Sequence, residues 1–303
     1  MNLKMFFYRL FNKIVLSFKK TQELMKNIII LIITTLTSFS FAQKKEIRGT
    51  ILSNETNLPI EFATIGIKDS PFATITNKQG EFKINIPDGY ENSQIKITSI
   101  GYESKVYNIH DYSSLSDNRL YLIQKIINIP EVLLTKEQNY KTYKIGTEST
   151  STKIVTGWSS GPGKGGERGI LIKTKNKAYY IKDINFHVAE NNFKNLNIRL
   201  HIRKLKDNFP DQELLQSNII IPVTINNGWV REDISKYKIK IDEPVVVSLE
   251  WLDHSPCNQN CNFLISLNYF SGKLYAKEAS ESKWIIKNGM SPGIFINVYQ
   301  LDK

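Results

Sequence analysis

The segment Gly157-Trp158-Ser159-Ser160-Gly161-Pro162-Gly163-Lys164-Gly165-Gly166 invites a phosphate-binding reading, because glycines let backbone N–H groups surround a phosphate and a lysine supplies charge. Its spacing is wrong. A phosphate loop places four residues between the first Gly and the Gly-Lys pair and a Ser or Thr after the Lys, whereas five separate Gly157 from that pair here and Gly165 follows. The required helix is also missing, since Ile170-Leu171-Ile172 reads as strand, so the segment is expected to be a flexible loop. A Ser-His-Asp hydrolase needs groups that converge from separated positions, and the consecutive Asp253-His254-Ser255 cannot converge on one another. His187 and His201 fall on neighbouring predicted strands, where a cross-strand pair could hold a metal; no third ligand is evident, and two histidines on a polar strand face is the alternative. His110 and Asp111 fit a turn.

Asp207 and Asp211 flank Asn208-Phe209-Pro210, and Asp242 precedes Glu243; loop acids of this kind can bind structural calcium, but these are isolated from one another in sequence. No acid pair is singled out for glycoside hydrolysis. The sequence therefore predicts no catalytic residue, no metal and no cofactor. Trp158, Tyr179 and Trp284 are the aromatics that would serve a ligand by stacking, as on sugar faces. Cys257 and Cys261, the only two cysteines, stand in one loop between predicted strands. In an oxidising compartment they are expected to form a disulfide; a metal pair would lack two further ligands.

The formal charge of +11 suggests nucleic acid until it is divided, since residues 1–42 hold six Lys/Arg against one Glu and leave +6 for the rest. Arg199, Arg203, Lys204 and Lys206 cluster, as do Lys236, Lys238 and Lys240. The second group alternates with Tyr237, Ile239 and Ile241, the pattern of a solvated strand face. A nucleic-acid groove would interleave exposed aromatics with such charges, so no nucleic-acid partner is expected; anionic lipid or acidic glycan suits these faces better.

The elements that would position these groups begin after a targeting segment. From Met25 one lysine, an apolar core over Ile28–Leu36 and the small residues Ser40 and Ala42 make residues 25–42 a signal peptide, with cleavage before Gln43. Residues 1–24 are read as an extension upstream of the true initiator Met25, the alternative being an interfacial helix. No other apolar run approaches the roughly 20 residues that cross a bilayer. Over 43–135 apolar side chains recur with period two in seven short runs, from Ile47–Leu52 to Arg119–Ile123, separated by Asn, Gly and Pro turns: a β-sandwich. Residues 136–150 are polar and read as a linker. Over 151–303 nine to eleven longer runs predict a second, jelly-roll-like sandwich, with Val245, Val247, Leu249 and Trp251 on one strand face and Val246, Ser248, Glu250 and Leu252 on the other. The fold class is thus all-β.

Gly49-Thr50, Leu58-Pro59-Ile60-Glu61-Phe62-Ala63-Thr64-Ile65, Thr76-Asn77-Lys78-Gln79-Gly80-Glu81-Phe82 and Ser99-Ile100-Gly101-Tyr102 together resemble the carboxypeptidase regulatory-like domain of gram-negative envelope proteins. The resemblance covers about ninety residues and implies a transthyretin-like, seven-stranded sandwich without a catalytic centre. In many relatives this domain ends in a strand similar to Pro130-Glu131-Val132-Leu133-Leu134-Thr135 and precedes the plug of a TonB-dependent receptor. With about 168 residues after Thr135, plug and barrel are not expected and the transporter role is not carried over. More loosely, Gly228-Trp229-Val230 and Val245–Leu252 resemble a jelly-roll found beside this domain.

The expected function is an exported, non-enzymatic binding or assembly module of the cell envelope, in the periplasm, associated with the outer membrane or on the surface, whose partner is a glycan or envelope protein. One rival is a carbohydrate-active or peptide hydrolase with its site in the second sandwich. Another is an accessory subunit of a TonB-dependent uptake system. A deep cleft with two facing carboxylates would favour the hydrolase, and a groove with exposed aromatics the glycan binder.

Overall fold

The computed structural model describes residues 11, 13, 16–30, 45–112, 118–125, 140–159, 164–254 and 261–301. It divides into two compact units, Met1–Lys44 and Lys45–Lys303. In the first, residues 16–30 are helical; no described helix is long and apolar enough to cross a membrane. The expected cleavage site at Ala42 lies outside the described residues, as do Ser255 and Cys257, and with Cys257 the expected pairing to Cys261.

The second unit is all-β and contains two large hydrophobic cores and a small third cluster of Leu267, Leu274 and Ala276. Its first seven strands are β1 (Lys45–Ser53), β2 (Thr64–Ile67), β3 (Ala73–Ile75), β4 (Glu81–Ile86), β5 (Gln94–Thr98), β6 (Lys105–Asn108) and β7 (Arg119–Leu122). They form one sheet in the order β4-β1-β7 and another in the order β3-β2-β5-β6. Strict alternation dictates this: in β4 Phe82, Ile84 and Ile86 are buried while Glu81, Lys83 and Asn85 face water. Ile51, Ile65, Ile67, Ile95, Ile97 and Leu122 complete the core between the sheets.

Two motifs noted in the sequence have clear structural work. Asn77 Oδ1 accepts from the N–H groups of Gln79 and Glu81, both at 2.9 Å, and Gly80 takes φ +72 to close the hairpin into β4. Thr76 Oγ1 donates to the Ile60 carbonyl at 2.7 Å and accepts from the Ala63 N–H at 2.8 Å, satisfying two buried backbone groups. β2 is buried on both faces, because its outer side meets the second sandwich: a Cβ on Gly66 would lie 2.5 Å from Glu281 Cγ and 2.7 Å from Ser280 Oγ.

The second sandwich comprises β8 (Tyr140–Gly146), β9 (Val155–Ser159), β10 (Glu167–Ile172), β11 (Tyr179–Asn191), β12 (Leu196–Lys206), β13 (Phe209–Glu213), β14 (Ile220–Val223), β15 (Gly228–Asp233), β16 (Lys240–Ile241), β17 (Val245–His254), β18 (Asn262–Lys277), β19 (Ile285–Pro292) and β20 (Ile294–Leu301). Over residues 262–266 β18 pairs with β9 and β11, and from Leu267 onward with β19 and β10, so this one strand joins both sheets. The sheets enclose Ile198, Leu200, Ile202, Leu249, Trp251, Phe263 and Phe186. Ile100, from the first sandwich, packs into this same core.

Three strands depart from the sequence reading. Residues 140–146, expected as linker, form edge strand β8 against β20; only Tyr143 and Ile145 pack on the core, too few apolar positions to register as a period. β9 begins the glycine-rich segment, and Gly157 is required there because a Cβ would lie 2.0 Å from the Phe263 carbonyl oxygen. β13 contains Pro210, which is tolerated on an edge strand. The Lys236–Lys240 stretch is also not a continuous strand: Ser235–Tyr237 is a 3-10 turn and Lys238 takes φ +49.

Candidate functional site

The central strands of one sheet carry charge on the face turned away from the core. Across β12, β17, β10 and β18 the register sets Arg199 opposite Glu250, Glu250 opposite Glu167, and Glu167 opposite Lys277. Period two does this: Ile198, Leu200 and Ile202 point inward, so Arg199, His201 and Arg203 must point outward. Two glutamates side by side repel, and the row holds because cations stand among them.

Glu167 Oε2 accepts from Arg203 Nη1 and from Ser248 Oγ, each at 2.6 Å, while its Oε1 receives Lys277 Nζ at 2.8 Å. Glu250 Oε2 accepts from Arg199 Nε at 2.7 Å and meets His201 Nε2 at 2.6 Å. On the far side of the same ring, His201 Nδ1 lies 2.6 Å from Glu213 Oε2 and 2.7 Å from Arg203 Nη2. Nδ1 can serve Glu213 as a donor or Arg203 as an acceptor, not both at once. Glu213 Oε1 also accepts the Ile202 and Leu215 N–H groups.

Three carboxylates are thus matched by Arg199, Arg203 and Lys277, with His201 between two of them. Burial alone pushes Glu167 upward, but Arg203, Lys277 and His201 outweigh it and hold the carboxyl well below the ordinary glutamate range. Glu250 is likewise pushed up by burial and brought down by Arg199 and His201 to about 2. Glu213 is lowered, His201 and Arg203 overcoming desolvation. The same carboxylates, Glu167 and Glu213 first, raise Arg203 against its own desolvation.

This ionic floor underlies a cleft of about 850 Å³ where the two sandwiches meet. Thr64, Lys96, Ser99 and Tyr102 contribute from the first sandwich, and Asp211, Gln212, Ser280 and Trp284 from the second. The seam is bonded: Arg199 Nη1 reaches the Phe62 carbonyl at 2.6 Å, Arg199 Nη2 reaches Thr64 Oγ1 at 2.8 Å, Lys96 pairs with Glu281 at 3.4 Å, and Ser282 Oγ donates to the Ser70 carbonyl at 3.1 Å.

Glu167, His201 and Glu250 bring potential ligand atoms within 4.8 Å of one another, yet they do not suit a metal. Their oxygens already accept from Arg199, Arg203 and Lys277, and a divalent ion would add charge beside three cations. Nor do the carboxyls of the floor suit acid catalysis, which requires a carboxyl raised toward the working pH; Glu167, Glu213 and Glu250 are all lowered by their cationic neighbours. Ser248 is bonded to Glu167 rather than to His201, so a serine-histidine pair is not formed.

Of the three aromatics singled out for stacking, Trp284 is half-buried and lines the cleft, with Lys277 Nζ 5.1 Å and Arg203 Cζ 6.0 Å from its ring. Trp158 and Tyr179 are corrections: at 8% and 5% exposure they belong to the core of the second sandwich and offer no face to a ligand. His187 and His201 are not on neighbouring strands. β11 carries His187 in one sheet, bonded to Ser266 Oγ at 2.8 Å, and β12 carries His201 in the other. Arg199 and Arg203 are not a surface basic patch but members of the floor, and Lys204 pairs with Glu243. Asp207 sits in the turn between β12 and β13, while Asp211 lies at the cleft.

Sequence reasoning missed Glu167, Glu213, Glu250 and Lys277, which come from four strands. For Glu250 the signal was there, a charge in mid-strand between Leu249 and Trp251 on the face opposite an apolar row, whereas Glu167, Glu213 and Lys277 stand at strand ends. A buried sheet admits such charges only when they are paired.

No curated protein sequence matches the chain. Among solved structures it is similar to the cysteine protease and lectin-like domains of a surface-layer-associated protein of Clostridium difficile, with TM-score 0.36 and 10% identity over 78% of this chain and 58% of that one. It is also similar to the VP2 subviral particle of infectious bursal disease virus, with TM-score 0.25 and 9% identity over 79% of this chain and 64% of that one. The chain therefore spans less than two thirds of either, and scores of this size carry no argument about fold or function. The first sandwich, in contrast, is matched by a family model: residues 47–134 are similar to the CarboxypepD_reg-like domain family.

Proposed function

We propose that the chain is a non-enzymatic binding module of the cell envelope, exported through its N-terminal segment, which engages a glycan or an envelope protein at the cleft between its sandwiches. One observation carries this reading: each carboxylate of the cleft floor lies in an ion pair with Arg199, Arg203 or Lys277, an arrangement that favours its ionised form and a rigid scaffold rather than a proton donor. The hydrolase rival needs facing carboxylates in a cleft, and Glu167 and Glu250 do face one another. It also needs one of them protonated near neutral pH, which their partners oppose. Support for the non-catalytic role comes from the regulatory-like domain at residues 47–134.

The test is to incubate the exported chain with model glycosides and peptides, in parallel with a pull-down from solubilised envelopes. The expected result is retention of an envelope component with no turnover above the blank. Turnover abolished by Glu167→Gln or Glu250→Gln in a folded protein would overturn the reading.

A further inference from the structure

We infer that the cleft between the sandwiches is a saccharide site that takes a neutral, hydroxyl-rich oligosaccharide against the indole of Trp284. This rests on the binding-module reading and gives it a ligand class.

Charge comes first. The guanidinium of Arg203 is spent on Glu167, Glu213 and His201, and that of Arg199 on Glu250, Phe62 and Thr64. A phosphate or sulfate held at the floor would have to break these buried pairs, and a cationic ligand there would meet the same three matched cations. A balanced floor of this kind favours a ligand without net charge.

The hydroxyls come second. Ser99 Oγ and Ser280 Oγ are buried without a hydrogen-bond partner among the described residues, and both residues line the cleft. Ser99 is only 9% exposed. An orphaned buried hydroxyl is costly, and a serine reaches a new partner by rotation about a single bond. A polyhydroxylated ligand, in which each group both donates and accepts, answers two such orphans at once.

Shape comes third. Lys277 and Arg203 stand over the Trp284 ring and hold the indole in place, while the ring remains half-exposed at the cleft. A fixed aromatic plane beside hydroxyls and the amide of Gln212 offers what a sugar ring presents: one face of C–H bonds and an edge of hydroxyls. The volume of about 850 Å³ lies within the usual range of small-ligand sites.

The experiment applies the exported chain to an array of immobilised neutral oligosaccharides of two to six sugars, covering hexoses, N-acetylhexosamines and pentoses in both anomeric linkages. Heparin and phosphorylated sugars are the charged comparison. Saturable binding to a neutral probe is expected, weakened about tenfold or more by Trp284→Ala and to a smaller extent by Ser99→Ala, with unchanged circular dichroism. Gln212→Ala, at the exposed rim, provides a variant with little effect on folding and is expected to weaken binding as well. No neutral probe bound, binding confined to the anionic probes, or binding indifferent to Trp284→Ala and Gln212→Ala would overturn the inference. If an envelope protein is still retained without turnover, the module reading survives that failure. If a bound oligosaccharide is cleaved, the saccharide site stands and the non-enzymatic reading falls.

Discussion

Arg199 donates to the carbonyl oxygen of Phe62 at 2.6 Å, and that contact crosses from one sandwich to the other. Phe62 presents the carbonyl from a backbone at φ +59, a conformation that a bulky residue adopts only when its surroundings impose it. The same guanidinium holds Glu250 and Thr64. One side chain therefore joins the seam to the floor of the cleft.

Replacing Arg199 by Met removes the guanidinium from the buried Glu250, which keeps His201, and leaves the Phe62 carbonyl without that donor. Breaking one partner of a buried pair in this way costs about 3–5 kcal/mol. Urea unfolding of Arg199→Met is expected to show a loss of that size; a loss below about 1 kcal/mol, the scale of an exposed pair, would mean the contact is not formed in solution.

Acid sensitivity follows from the depressed carboxyls. A group whose folded pKa lies below its unfolded value contributes stability above the unfolded value, and that stability is lost as pH falls through the folded one. Glu167, Glu213 and Glu250 are all of this kind. These groups are expected to contribute their full stabilisation, independent of pH, above about pH 5, and the melting temperature to fall as pH drops below about pH 4.3, the ordinary glutamate value, toward the lowered folded values. Tm measured from pH 7 to pH 3 checks this, and Glu213→Gln should flatten the acid limb.

How far the sequence foretold this differs between the two sandwiches. In the first, strict alternation and turn residues such as Asn77 and Gly80 are local signals, and all seven strands fall where the period puts them. The cleft floor is non-local: Glu167 and Lys277 are neighbours only because β18 turns back beside β10. No spacing rule spans that separation. The burial of Trp158 is non-local for a related reason: an aromatic next to a glycine-rich segment has the local pattern of a loop residue, and only the pairing of β9 with β18 places it in the core.

Thr76→Val tests the first sandwich alone. It removes the hydroxyl that serves Ile60 and Ala63 and leaves two buried backbone groups unpaired. The expected cost is about 1–3 kcal/mol, read by urea unfolding, whereas Thr76→Ser should recover most of it.

Gly101→Ala tests the seam without touching a charge. Gly101 holds φ +85, and a Cβ there would lie 2.3 Å from the Gln216 carbonyl oxygen of the second sandwich. Strain and collision both oppose the side chain, so a loss of at least about 1–3 kcal/mol is expected. Hydrogen exchange should rise at the seam on both sides, around residues 62–66 and 279–282; exchange unchanged there would contradict the contact.

The central claim is that the buried carboxyls of the cleft are ionised and paired, and not poised for proton transfer. Carbon-13 NMR of the chain labelled at glutamate side-chain carboxyls reads this directly, with Glu167→Gln, Glu213→Gln and Glu250→Gln assigning the three signals. The account predicts that all three titrate below about pH 4.3, the ordinary glutamate value. A signal assigned to Glu167 or Glu250 that titrates between about pH 6 and 7, where a general acid must lie, would contradict it.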